Sequence, residues 1–198
     1  MKESLIISIL VIFIYIFLFT NKNNLVLTES TKSGKEFLVN NDSLRKESAK
    51  LLDEIIDRMY KLKDHLIDNK DKICMNDKEL EDSVELLGKN LNKSRTKIYE
   101  NPPNSNYTSY SVNKGEEVVF CLKSKKKKNT LHKIDLLMYV AIHEMAHIGC
   151  HEIGHTELYK KIFEFYVKES IKIGIYKYED YDSNPVEYCG MVLSSNIV

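Results

Sequence analysis

Hydrophobic positions along the chain alternate between spacings of three and four from residue 52 onward. Leu52, Ile55, Met59, Leu62 and Leu66 share one helical face, and Ser43 stands where an N-cap belongs. The stripe lasts about two to three heptads, which favours packing onto its own domain over a dimerising coiled coil. A second helix is predicted over Lys78 to Leu91, with Leu80, Val84, Leu87 and Leu91 as its buried stripe and Gly88 weakening its last turn. Asn101-Pro102-Pro103-Asn104 reads as a loop. Beyond it, Tyr107 to Val112 and Glu117 to Lys123 carry β-branched and aromatic residues on either side of Asn113-Lys114-Gly115, which predicts a β-hairpin. Its second strand, Val118 to Leu122, is apolar on both faces and is expected to be central. From Thr130 the period turns helical again, with Ile134, Met138, Ala141, Met145 and Ile148 on one side. A further helix, capped by Thr156, carries Leu158, Ile162, Phe165 and Ile171 and is expected to back it.

The two ends of the pattern behave differently. Leu5 through Phe19 is apolar apart from Ser8 and Tyr15, and Ser4 to Thr20 just reaches the lower limit of about 17 residues for a membrane span. A cleaved signal is the rival reading, but Phe19-Thr20-Asn21 lacks a small-x-small cleavage pattern. The expectation is an N-terminal transmembrane helix in residues 1–22 and a single-pass membrane location. Residues 23–41 show no sustained period and are expected to be a polar tether, leaving residues 42–198 as one domain. Within it, 42–92 form a helical part and 107–198 the part that carries the chemistry.

Composition narrows the function only locally. Of the 198 residues, 29 are Lys or Arg and 29 are Asp or Glu, which excludes a strongly basic nucleic-acid binder or an acidic tail protein as a description of the whole chain. Lys123 and Lys125 to Lys128 form one dense basic run, readable as a solvated loop or as a contact for nucleic acid or anionic lipid. The four cysteines, at 74, 121, 150 and 189, lack metal-type pairing and permit four thiols or up to two disulfides. Asn41, Asn92 and Asn106 sit in sequons that an asparagine-rich chain produces by chance.

Histidine placement changes the picture. Four of the six histidines fall between His143 and His155, and His143-Glu144-Met145-Ala146-His147 matches H-E-x-x-H inside a helix predicted on other grounds. Residues four apart stand one above the other, so both imidazoles can reach one metal ion, and Glu144 projects beside it as a proton acceptor. A catalytic zinc takes a third protein ligand and leaves one position open. His151, Glu152 and His155 are the candidates. On a continuous helix His151 would lie about 12 Å along the axis from His143, out of common reach. His155 follows Gly154, which can turn the chain back, so the ligand set is His143, His147 and His155, with His151 a bystander. Gly149 follows His147 by two positions, which departs from metzincin spacing. Cys150 is a rival thiolate ligand or a buried structural thiol, and Tyr188 or Tyr181 could donate to an oxyanion.

The stretch from Ser109-Tyr110-Ser111-Val112-Asn113-Lys114-Gly115 through Cys121-Leu122, then Val140-Ala141-Ile142-His143-Glu144-Met145-Ala146-His147, then Gly154-His155-Thr156, resembles the WLM and SprT-like group of zinc metallopeptidases. The tail Tyr181-Asp182-Ser183-Asn184-Pro185-Val186-Glu187-Tyr188-Cys189-Gly190 is similar to small membrane-anchored members encoded by large DNA viruses. The resemblance covers about half the chain, from residue 107 on. It implies zinc ligands at His143, His147 and His155 and a catalytic Glu144. The resulting expectation is an α+β, zincin-like metallopeptidase domain on an N-terminal transmembrane helix, hydrolysing protein or peptide with Zn2+ and with Glu144 as general base. A structural membrane protein of a virion or host compartment, stabilised by zinc without catalysis, is the alternative.

Overall fold

A computed structural model describes residues 24–198. Its elements in chain order are β1 (Leu25–Glu29), β2 (Glu36–Asn40), α1 (Arg45–Asp68), α2 (Lys70–Ile73), α3 (Lys78–Asn90), β3 (Lys97–Glu100), β4 (Tyr110–Val112), β5 (Glu117–Phe120), α4 (Ile134–Gly149), α5 (Glu157–Lys172), β6 (Val186–Tyr188) and β7 (Met191–Leu193). This is a mixed α+β fold in which α4 packs against α1, α3 and α5.

The expected stripe of α1 is fully buried at Leu52, Ile55, Met59, Leu62 and Leu66. Its start differs from the expectation: Leu44 occupies the N-cap without a side-chain bond, and its N–H donates to Asp42 Oδ1 at 2.9 Å. Asp77 caps α3 by accepting from the Leu80 N–H. Helix α4 is nearly apolar all round, because three helices and a strand surround it. At its C-terminal end Gly149 permits close approach: a Cβ there would lie 2.4 Å from Tyr166 Oη and 3.0 Å from the Ser83 carbonyl oxygen. Tyr166 is fully buried on α5, whose inward face is Tyr159, Ile162, Phe163, Tyr166 and Val167, while Ile171 lies exposed on the other side.

The three-stranded sheet runs β3-β5-β4, with β3 parallel and β4 antiparallel to β5. The central place of β5 explains its apolar faces. Asn113, Lys114 and Gly115 all take positive φ in the β4–β5 turn. Strands β1 and β2 pair antiparallel and pack on α1, and β6 and β7 form a short hairpin turning at Cys189 and Gly190.

Two expectations need correction. The segment expected to be a tether is the β1–β2 hairpin: Val39 is fully buried, Gly34 supplies a positive φ in the turn, and the Asn40 N–H donates to buried Glu100 at 2.8 Å. The N-terminal transmembrane helix and the single-pass location are withdrawn as well. Among the described residues no helix is long and apolar enough to cross a membrane. Helix α1 has 24 residues but its outer face is charged, and α4 is apolar but has 16, spanning about 24 Å against a hydrocarbon core of about 30 Å. Ser4 to Thr20 lies outside the described residues.

Candidate metal centre

Helix α4 presents His143 and His147 one turn apart on its least buried side, and Gly154, at φ +86°, turns the following loop so that His155 faces them. His155 Nε2 lies 3.2 Å from His147 Nε2 and 3.3 Å from His143 Nε2. An ion held tetrahedrally by bonds of about 2.0–2.1 Å separates its nitrogen ligands by about 3.3–3.4 Å, so the donor set fits zinc. Burial, followed by the neighbouring imidazoles, pushes His143 down to about 3; burial, followed by His155 and Lys114, pushes His147 down to about 4. Both imidazoles are therefore neutral near pH 7, the form that binds a metal.

Tyr159, in the first turn of α5, orients the first of them. Its hydroxyl lies 2.7 Å from His143 Nδ1 and 3.4 Å from the His143 carbonyl. Accepting from Nδ1–H and donating to the carbonyl sets the tautomer that leaves Nε2 as a lone pair towards His155. The same ring stacks on His147 at 4.2 Å between centroids. Lys114, in the β4–β5 turn, donates to the carbonyls of Cys150 at 2.7 Å and Glu152 at 2.6 Å and approaches that of His147 at 3.3 Å. It thereby neutralises the negative end of α4 and holds the loop that leads to His155.

Glu144 is 5% exposed beside the cluster. Burial pushes its carboxyl up to about 7, with Ser111 acting in the opposite direction. The histidines, Glu144, Lys114 and Ser109 to Ser111 line a cleft of about 610 Å³, with Ile153, 90% exposed, on its rim. One wall is β4, which among the described residues is an edge strand paired with β5 alone.

Other sequence candidates lie elsewhere. His151 is exposed and outside the cluster, and Cys150 is a buried free thiol at the end of α4. Tyr181 packs on Tyr139 away from the cleft. Tyr188 is buried behind it, its hydroxyl paired with Ser109 Oγ, so it reaches the cleft only through that serine. In the basic run, Lys123 is paired with Asp42 and Glu100 at 2.8 Å each and Lys125 donates to the Ser105 carbonyl, while Lys125 to Lys128 are all exposed. Tyr159 and Lys114 escaped the sequence reading. Tyr159 carried a signal, since it shares the three-and-four spacing of Ile162, Phe163 and Tyr166, whereas nothing local announces the reach of Lys114.

The chain is 39% identical over 177 residues to "Uncharacterized protein R325" of Acanthamoeba polyphaga mimivirus, covering 89% of this chain and 86% of that protein. It is 32% identical over 69 residues to "Uncharacterized protein 136R" of Invertebrate iridescent virus 6, and 34% over 68 residues to "Uncharacterized protein 042R" of Invertebrate iridescent virus 3. The last two matches span 34% of this chain and 38% and 42% of the respective relatives. No known family profile matches the chain, and no solved structure matches it.

Proposed function

We propose that this chain, which belongs to the family of large-DNA-virus proteins that includes R325 of Acanthamoeba polyphaga mimivirus, is a zinc-dependent peptidase. The observation that carries the reading is the convergence of three imidazoles beside a buried carboxylate, at the floor of an open cleft. His143, His147 and His155 would hold Zn2+, which when bound supplies Lewis acidity to a water molecule and to the scissile carbonyl. The likeness of the H-E-x-x-H segment and of Gly154-His155-Thr156 to WLM and SprT-like metallopeptidases supports the same assignment.

The chain's own residues supply the remaining work. Glu144 takes the proton from the attacking water and returns it to the leaving amine, a role suited to a carboxylate that burial raises towards neutrality. Strand β4 lies at an edge of its sheet along the cleft, where an extended peptide would add as a further strand. Ile153 on the rim gives such a peptide an apolar contact. Tyr159 and Lys114 hold the ligands in place before substrate arrives.

Glu144→Gln tests the role directly. The variant is expected to retain one zinc per chain and to lose at least 100-fold in hydrolysis of an unstructured protein substrate. Equal hydrolysis by the two proteins, or none by zinc-loaded wild type across a broad peptide library, would overturn the peptidase reading.

A further inference from the structure

A second set of donors lies apart from the histidine cluster. Cys121 follows the end of β5, Cys189 sits in the β6–β7 turn at φ +51°, and His132 precedes α4. Cys121 and Cys189 are joined as a disulfide across 68 positions. All three residues are buried, and their ligand atoms lie within 4.8 Å of one another. The His132 backbone N–H donates to the Leu122 carbonyl at 2.9 Å, and its ring Nε2 accepts a long bond from the Cys189 N–H at 3.4 Å. Nε2 also lies 3.7 Å from Cys189 Sγ, so an ion beside the sulfurs would take the lone pair in place of that long N–H contact. An ion bound tetrahedrally with Zn–S of about 2.3 Å and Zn–N of about 2.0–2.1 Å would place S and N about 3.6 Å apart. A separate cavity of about 440 Å³, lined by Leu136, Glu179 and Glu187 among others, reaches His132 from outside.

We propose that Cys121, Cys189 and His132 form a second, redox-gated site for a thiophilic divalent cation of the zinc class, present when the disulfide is reduced and abolished when it forms. A dithiol reductant transfers two electrons and two protons to the S–S bond, giving two thiols and its own disulfide. Binding of the cation then displaces one proton from each thiol, while the neutral imidazole contributes its lone pair. The sulfurs part from a bonded separation of about 2.0 Å to about 3.8 Å across one tetrahedral ion. Tyr188 adjoins Cys189, packs on the His132 ring at 5.1 Å and ends on Ser109 at the cleft, so the two sites are one side chain apart.

The test uses the full chain carrying H143A and H147A, reduced with a dithiol, freed of it anaerobically and titrated with Co2+. One equivalent is expected to bind, with a thiolate-to-cobalt charge-transfer band in the near ultraviolet that the all-nitrogen site cannot give. Both are expected to vanish on oxidation and in the C121S/C189S double variant. No uptake by the reduced variant, uptake without the band, or a band that survives C121S/C189S and so belongs to Cys74 or Cys150, would overturn the proposal. If the histidine variant fails to fold, wild type answers the same question: reduced protein should bind one equivalent more than oxidised protein, and equal uptake refutes the site. Failure of the peptidase reading is seen separately, as loss of the nitrogen-only equivalent from oxidised wild type.

Discussion

Replacing Lys114 by Met keeps the unbranched apolar stem and removes an ammonium that serves three carbonyls around the end of α4. Two of those contacts, to Cys150 and Glu152, are short and charge-assisted. At about 1.5 kcal/mol each, the low end for a charged donor because water can enter at a half-buried position, they amount to about 3 kcal/mol. Some of that loss appears as lower stability, and some as disorder of the loop that brings His155 to His143 and His147. If all of it fell on metal binding, affinity would drop by about two orders of magnitude, since 1.4 kcal/mol is a factor of ten. We expect a fall of about 10–100-fold, the range that outer partners of metal ligands usually command. The assay is competition for zinc against a chromogenic chelator of known affinity, with urea unfolding of the metal-free proteins run in parallel. Lys114→Arg should recover part of the loss and His155→Ala should exceed it. A folded Lys114→Met protein whose zinc affinity stays within threefold of wild type would refute the claim that this lysine organises the site.

Two further outcomes follow from packing and charge. Gly149→Ala is expected to destabilise by about 1–3 kcal/mol through overpacking against Tyr166 Oη, and Tyr166→Phe should relieve it, so the double variant costs less than the sum of the single ones in urea unfolding; additivity would show that α4 shifts instead. Hydrogen bonds from Lys32 and Arg58 hold the Glu54 carboxyl below its usual range. The stabilisation is therefore present above the unfolded-state value near 4.5 and is lost as pH falls through the lower folded-state value. Glu54→Gln should flatten that acid limb by at most about 1 kcal/mol, as expected of a partly exposed pair, and an unchanged limb would contradict the assignment.

The helices were legible because each carries its own local period. Val84 and Leu87 on α3, and Met138, Ala141 and Met145 on α4, are buried where the spacing of three and four puts them. His143 and His147 were legible for the same reason, since a one-turn separation is a property of the helix and not of the tertiary fold. What escaped depends on partners distant in sequence. Lys97 to Glu100 becomes strand β3 only by lying parallel to Glu117–Phe120, and β6 and β7 are too short to display alternation. The β1–β2 hairpin was hidden by polar residues at its turn, although Phe37, Leu38 and Val39 are the half of it that meets α1 and β3. Gly154 was readable as a turn, but the clamp from Lys114 crosses 38 positions to Glu152 and leaves no local trace.

The bond between Cys121 and Cys189 also makes a covalent ring. The 68-position loop it closes contains α4 and α5, and with them all three clustered histidines, Glu144 and Tyr159. On the chain-entropy account, closing a loop of that length lowers the entropy of the unfolded chain by the equivalent of about 4 kcal/mol at room temperature. A single backbone cut inside the ring, for instance in the exposed turn around Ile153, would leave both fragments attached and the histidines from α4 tethered to the one that follows it. The oxidised chain can thus be nicked without being divided, and it comes apart only when the sulfurs are reduced.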